Sequence, residues 1–533
     1  MKGWKDFQGV NLGFALELYD RFLKDARAVD AGTRKFFEQF PPPSNGSAPQ
    51  AAATGTDADK IVGAVNLAES LRKFGHMDAQ IDPLESPPPG DPSLLLETHG
   101  VTEEILEQLP AGLVAGPISN GAANFLEVIR RLHRVYSSTL GYDFAHLRDP
   151  DERDWLRTAA ESGLYRSPAD PVDEVEVLER LTQVECFERF LHRTFPGKTR
   201  FSIEGLDMLV PVLDEVIGEA AEIGMRNVLI GMAHRGRVNV LAHILNKPYS
   251  EILAEFKDPV LARNFREDQG WTGDVKYHLG ARRAIKGGQE VDLIVTLPPN
   301  PSHLEAADPV VEGMARAAGT RADRGGMPEF DPTRTLPILI HGDAAFAGQG
   351  VVPETLNFYR LEGYRTGGTI HIIADNQLGY TTQSNQYRSA LYASGIARGF
   401  RIPIVHVNAD DPEACIEVAR VAFAFRARFE KDFVIDLVGY RRHGHNEGDE
   451  PGFTQPLLYE RIAKHPTVRE LWAKALVARR AIPKERPETV VQVFLSYVFI
   501  LCTGLLVCTS AIEKVPKITP GLAYERRFVD TWR

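Results

Sequence analysis

The chain has 533 residues, 43% of them hydrophobic and 25% charged, which places it among soluble globular enzymes and excludes a disordered chain. A net charge of −11 argues against a nucleic-acid-binding surface, and no long basic run offsets it. Cys186, Cys415, Cys502 and Cys508 make no CxxC pair and no metal spacing with histidine, so a disulfide framework and a cysteine zinc site are both unsupported, and a reducing, intracellular compartment fits.

The amino terminus, MKGWKDFQGV, lacks an apolar stretch, and Asp6 and Glu17 argue against a secretory or transit peptide. Leu16, Leu18, Tyr19, Phe22 and Leu23 fall close to one helical stripe, and Phe36, Phe37 and Phe40 form another. Residues 1–40 are therefore expected to form a short helical arm, either loosely docked or used to dock a partner. Residues 41–60 are rich in Pro, Ala, Gly, Ser and Thr and read as a flexible linker. From 61 to 195 the patterns in IVGAVNLAESLRKFGH, ANFLEVIRRLHRVYSSTL and VEVLERLTQVECFERFLHRTF predict a mainly helical lobe.

Between 196 and 485 apolar runs alternate with helical patterns. The runs are NVLIGM, VDLIVTL, LPILI, TIHII, IPIVHV and FVIDLVGY, and the helical stretches include PEACIEVARVAFAFRARF. This alternation predicts an α/β domain, a mostly parallel sheet with helices on both faces. The tail, 486–533, is atypical. Its stretch VVQVFLSYVFILCTGLLVCTSAI, 490–512, carries no charge over 23 residues and admits three readings: a membrane span, a buried helix or strand pair, or foreign sequence after a frame change near residue 487.

The chemistry gathers in the loops that follow those runs, where parallel sheets bind ligands. HGDAAFAGQG, 341–350, and ADNQLGYTT, 374–382, each follow an apolar run. Asp343 offers a carboxylate oxygen, Asn376 an amide oxygen and Leu378 a backbone carbonyl, a half-shell suited to Mg²⁺. Ala344, Ala345, Gly348 and Gly350 would let backbone N–H groups approach a diphosphate at a helix start; the alternative is an ordinary Gly-rich turn. Other strand ends contribute His234, Arg235 and Arg237, then His278, then Ser302 and His303, and finally Arg441, Arg442, His443 and His445. Together these could surround an anionic substrate.

The strings RFSIEG at 200, MAHRGRVNVL at 232, GDVKYHLG at 273, NPSHLE at 300, HGDAAFAGQGVVPETLN at 341, ADNQLGYTT at 374, HVNADDPEA at 406 and YRRHGHNEGDEP at 440 stand in order. Together they resemble the E1 component of 2-oxoglutarate dehydrogenase, and the likeness extends to the amino-terminal arm and KFGHMDAQIDPLE, covering about the first 480 residues. The resemblance implies the thiamine-diphosphate-binding fold and a Mg²⁺-dependent decarboxylase. Such an enzyme passes the succinyl group of 2-oxoglutarate to the lipoyl arm of an E2 succinyltransferase, as a cytoplasmic homodimer docked through its amino-terminal arm.

Carried over by position, the resemblance makes Asp343, Asn376 and the Leu378 carbonyl metal ligands, and Ala344 and Ala345 diphosphate contacts. Arg235, Ser302 and Leu304 become lining of the cofactor site, and His234 and His278 face the substrate, with Ser302 also placed among the catalytic residues. Family members continue into a second α/β domain that supplies a glutamate to the aminopyrimidine ring, and no residue here takes that role. The chain is therefore expected to act as the diphosphate-binding half of an enzyme, with a non-catalytic assembly fragment or a related thiamine-dependent carboligase as alternatives.

Overall fold

The structure is a computed structural model that describes residues 18–39 apart from Asp20, and residues 55–257, 275–287, 290–323 and 325–504. Residues 1–59 and 60–533 form two compact units. In the first, residues 21–24 and helix α1 (Ala31–Gln39) are helical, and the rings of Tyr19, Phe22 and Phe37 lie 5.1–5.9 Å apart. Asp30 starts α1 by accepting the Thr33 N–H at 3.0 Å. Leu23 departs from the expected stripe, being 64% exposed. Residues 1–17 and 40–54, which hold most of the expected linker, lie outside the described residues.

The second unit is built on eight strands: β1 (Leu140–Asp143), β2 (Asn227–Met232), β3 (Ala281–Gly287), β4 (Glu290–Leu297), β5 (Thr335–Gly342), β6 (Ile370–Asp375), β7 (Ile404–Asn408) and β8 (Phe433–Val438). Their order is β1-β7-β8-β6-β5-β2-β4-β3. The six inner strands are parallel, and β1 and β3 run antiparallel at the two edges.

Strand alternation explains why the inner runs are apolar throughout. Val228, Ile230, Leu336, Ile338, Ile340, Ile370 and Ile372 point into the main core. Their neighbours Leu229 and Leu339 point the other way, under Val311 and Ala315 of the helix Asp308–Ala318, and Ile373, Ile404 and Val434 pack with Phe346, Val352 and Leu356. Both faces are thus covered by helices, as the continuous apolar runs require.

The expected division at residue 195 does not separate compact bodies. Leu140–Asp143 forms the β1 edge strand, with Leu140 opposite Val407 and Asp143 opposite Ile404, and Leu67, Leu71, Phe125 and Leu178 share one core with the sheet. Four residues including a glycine are too short a run to stand out from a helical background.

The tail begins as a helix, Arg486–Gly504, laid against the helices Glu174–Thr194 and Tyr249–Lys257. Phe494 and Val498 are buried there with Phe187, Leu191, Tyr249, Leu253 and Phe256. The run is therefore helical as far as Gly504, with Phe494 and Val498 its buried contacts. Among the described residues no helix is long and apolar enough to cross a membrane, and residues 505–533 lie outside them.

Candidate functional site

The register places the carboxyl ends of the parallel strands along one edge: Met232 lies opposite Ile340, Gly342 opposite Ala374 and Asp375 opposite Val438. Asp343 begins the short helix Asp343–Gly348 and is 2% exposed. The Tyr387 hydroxyl donates to Asp343 Oδ2 at 2.7 Å, and Arg388 Nη1 donates to the Tyr387 oxygen at 2.5 Å. Asp375, at the end of the neighbouring strand, is a second buried carboxyl in hydrogen-bond contact with Asp343. Burial raises both groups above the usual carboxylate range, and the charge of Asp343 raises Asp375 further.

The two sequence motifs meet in this edge because the chain after Asp375 turns back on itself. Gln377 and Tyr380 take left-handed backbone angles, φ 64° and 58°. Asn376 Oδ1 accepts the Leu378 N–H at 3.2 Å, and Leu378 is buried. At Gly379 a Cβ would stand 2.9 Å from the Ala344 Cβ, so the loop lies directly on the helix 343–348 and only glycine permits that approach. Gly342 precedes the helix and offers no side chain to cap the N–H groups of Ala344 and Ala345; the Ala344 N–H reaches the Asp343 carboxylate. A Cβ on Gly348 or Gly350 would meet nothing within 4 Å, so packing inside this chain does not require glycine at either position.

Basic residues line the adjoining strand ends. The His234 and His445 rings lie 5.3 Å apart, both against Phe201, with Tyr380 4.8 Å from His445. Burial, with help from Arg235, lowers His234 to about 3 and His445 to about 4, so both imidazoles are neutral near pH 7. Arg235 is lowered to about 10 by burial and by Arg441 and keeps its charge.

The guanidiniums also brace the walls of this edge. Arg235 donates to the carbonyls of Ser202 (2.9 Å) and His445 (3.1 Å), and Arg441 to that of Tyr380 (2.8 Å). Arg442 holds the Ile462 and His465 carbonyls, and buried Arg237 holds those of Met232, Leu279 and Pro298. Loop carbonyls without a sheet partner need donors, and these arginines supply them. These donors staple the walls beside the histidines.

His278 Nδ1 donates to the Asn300 carbonyl at 2.6 Å, which ties this segment to the loop after β4. On that loop Ser302, His303 and Leu304 are exposed, Leu304 at 38%. His443 Nε2 lies 2.8 Å from Glu204 Oε2.

Several groups at this edge were invisible to motif reasoning. Tyr387 and Arg388 sit in SNQYRS, which has no periodicity to mark them, and Asp375 stands inside ADNQLGYTT with no signal of its own. Glu305, at φ 64°, accepts from the Gly342 N–H at 3.4 Å and pairs with His341 Nδ1 at 2.7 Å. His341 Nε2 in turn lies 3.0 Å from His371 Nδ1. An acidic residue beside the exposed SHL and two histidines within apolar strands were the available signals.

Residues 204–496, more than half of the chain, match the family described as dehydrogenase E1 component. The chain belongs to the dehydrogenase E1 component family. Among relatives of this E1 chain, the 2-oxoglutarate dehydrogenase E1 component of Bacillus velezensis is 48% identical over 499 residues, covering 91% of this chain and 53% of that protein. Proteins of the same description from Bacillus subtilis and Shouchella clausii are 47% and 50% identical, each covering 90% of this chain and 52% of their own length. The E1 chain thus spans about half the length of the curated relatives it matches. The family match reaches eight residues beyond Glu488, into the helix that opens the apolar tail.

Proposed function

We propose that this chain holds the diphosphate end of thiamine diphosphate on Mg²⁺ and takes part in the oxidative decarboxylation of 2-oxoglutarate, with succinyl transfer to the lipoyl arm of an E2 partner. The observation that carries the reading is the pair Asp343 and Asp375, two buried carboxyls in contact at a parallel-strand edge. Such a pair is costly unless it shares a proton or meets a cation. The donor set fits a small hard cation, since Asp343, the Asn376 amide oxygen and the Leu378 carbonyl offer only oxygen.

When bound, thiamine diphosphate would supply a sink for the electron pair left as CO₂ departs from a 2-oxo acid. Asp343, Asn376 and Leu378 would hold the metal, and the N–H groups of Ala344 and Ala345 would face the diphosphate. Tyr387 orients Asp343 through its 2.7 Å hydrogen bond, with Arg388 behind it. His234, neutral and half-buried beside His445, would place its N–H on a substrate oxygen. His278, with its Nδ1 held by the Asn300 carbonyl, would turn Nε2 toward the substrate. The fixed charges of Arg235 and Arg441 favour an anion between them without spending their donors on it. Ser302 and Leu304 would form the wall on the β4 side.

Calorimetry of the purified chain with thiamine diphosphate tests the reading. Binding is expected to need Mg²⁺ and to be abolished in Asp343→Ala, while unchanged affinity in that variant would overturn the metal assignment. Turnover with an artificial oxidant, compared between 2-oxoglutarate and pyruvate, tests the substrate, and a preference for pyruvate would refute it. Capture of E2 by a chain that shows neither binding nor turnover would replace the enzymatic reading with an assembly role.

A further inference from the structure

The segment KFGHMDAQIDPLE, 73–85, continues from the helix Gly55–Phe74 to the loop that carries Asn376 and Leu378. Asp82 and Gln377, 295 positions apart, meet there. Gln377 Nε2 donates to Asp82 Oδ1 at 2.9 Å and to the carbonyl of Gly439, just past β8, at 3.0 Å. An amide nitrogen carries two N–H groups, so both are engaged. The Asp82 carboxylate is itself fixed, since Oδ1 accepts the Leu84 N–H at 3.0 Å and Oδ2 the Ser86 N–H at 3.2 Å. Leu84 seats the turn, buried with Tyr440 and Ile462. Distant parts of the chain thus converge on one side chain of the loop.

We infer that Asp82 is a positioning residue for the metal site proposed above, on which this inference rests, and that it acts through Gln377 to fix the turn between Asn376 and Leu378. Gln377 takes φ 64°, a conformation that glycine adopts at lower cost. What glutamine adds over glycine is the amide that reaches Asp82 and Gly439. Its two neighbours in the chain are the oxygen donors, and the Asn376 side chain closes the same turn by accepting the Leu378 N–H. A rotation at Gln377 would therefore swing the Leu378 carbonyl relative to Asn376.

Close packing does not fill the space between the two segments. Asp82, Leu84 and Ser86 share the lining of a cavity of about 190 Å³ with Asn376, Gln377 and Leu378. The later part of the loop has other support, since Gly379 lies against Ala344 and Arg441 donates to the Tyr380 carbonyl. At Gln377 the hold comes from hydrogen bonds. Its N–H goes to Asp375 Oδ1 at 2.9 Å, so the residue is gripped from the site by its backbone and from the lobe by its side chain. The ionic acceptor makes the Asp82 bond the stronger of the two that the amide forms. The helical lobe, which holds none of the oxygen donors, thereby reaches the site through one carboxylate.

The test joins calorimetry of the full chain with thiamine diphosphate and Mg²⁺ to hydrogen exchange of residues 376–380 in the ligand-free chain. Asp82→Ala, and Gln377→Met, which keeps the side-chain length without its donors, should each weaken Mg²⁺-dependent binding about tenfold or more and speed exchange across 376–380. The double variant should lie within about twofold of the single ones, because both remove the same link. Asp82→Asn, which keeps an acceptor for Gln377, should recover most of the affinity. Unchanged affinity or unchanged exchange in Gln377→Met would overturn the inference, whatever Asp82→Ala does to folding, and so would losses that multiply in the double variant. If the unaltered chain binds no cofactor, the metal reading fails on its own; faster exchange in both variants would still support the clamp, and unchanged exchange would remove it too.

Discussion

Asp343 and Asp375 set the behaviour of the site at the scale of single residues. Both carboxyls have raised pKa values in the folded chain, first through burial, so between their unfolded and folded values the folded state binds protons that the unfolded state has released. That contribution is fully present below the unfolded pKa and is lost as pH rises through the folded values. A divalent cation that takes the place of the proton should offset the loss. Urea unfolding at several pH values, with and without Mg²⁺, is expected to show a Mg²⁺ stabilisation that grows as pH rises above the usual carboxylate range in the unaltered chain and vanishes in Asp343→Ala. A Mg²⁺ effect that does not change as pH rises would mean that the ion binds elsewhere. The sequence pointed to Asp343 because its carboxylate sits in a recognisable motif. It could not point to Tyr387, whose hydroxyl reaches Asp343 across 44 positions of chain without any local pattern.

Elements show where sequence reasoning works and where it stops. The six inner strands were legible because burial on both faces demands unbroken apolar runs, and each run closed on the polar loop that the parallel arrangement needs. The edge strands β1 and β3 were not, since LGYD is four residues long and ARRAIKG alternates apolar with charged positions in a way an exposed loop could share. The bracing role of the arginines was not legible for a related reason. A motif rich in Arg looks like an anion site, but only the folded loops reveal which carbonyls lack partners. Arg237→Met is accordingly expected to leave the Met232, Leu279 and Pro298 carbonyls without donors and to cost about 3 kcal/mol or more by denaturant unfolding, with Arg237→Lys rescuing little. An effect under about 0.5 kcal/mol would show the bonds to be replaceable by water. For the helix Arg486–Gly504, Phe494→Ala should cost about 3–5 kcal/mol, because its ring is 4% exposed among Phe187, Tyr249 and Phe256; a neutral result would detach this helix from the body.

For the whole molecule, buried carboxyls around the helix Asp308–Ala318 tie stability to pH. Burial raises Glu305 and Glu312 to about 7 and Asp308 to about 8, so all three favour the folded state most at low pH and lose that advantage as pH climbs through these values. Unfolding free energy is expected to decline between pH 6 and pH 9, and Asp308→Asn should flatten the decline; an unchanged slope in that variant would exclude Asp308 as its source. The sheet itself sets one further limit. Six parallel strands leave five gaps of about 4.8 Å, a shelf about 24 Å wide, and the reversed strands at either side send their own outgoing loops to the opposite rim. The usable width is therefore fixed by strand count alone. Lengthening a loop can raise the shelf's walls, but only another parallel strand inside the reversed pair could make room for a longer guest.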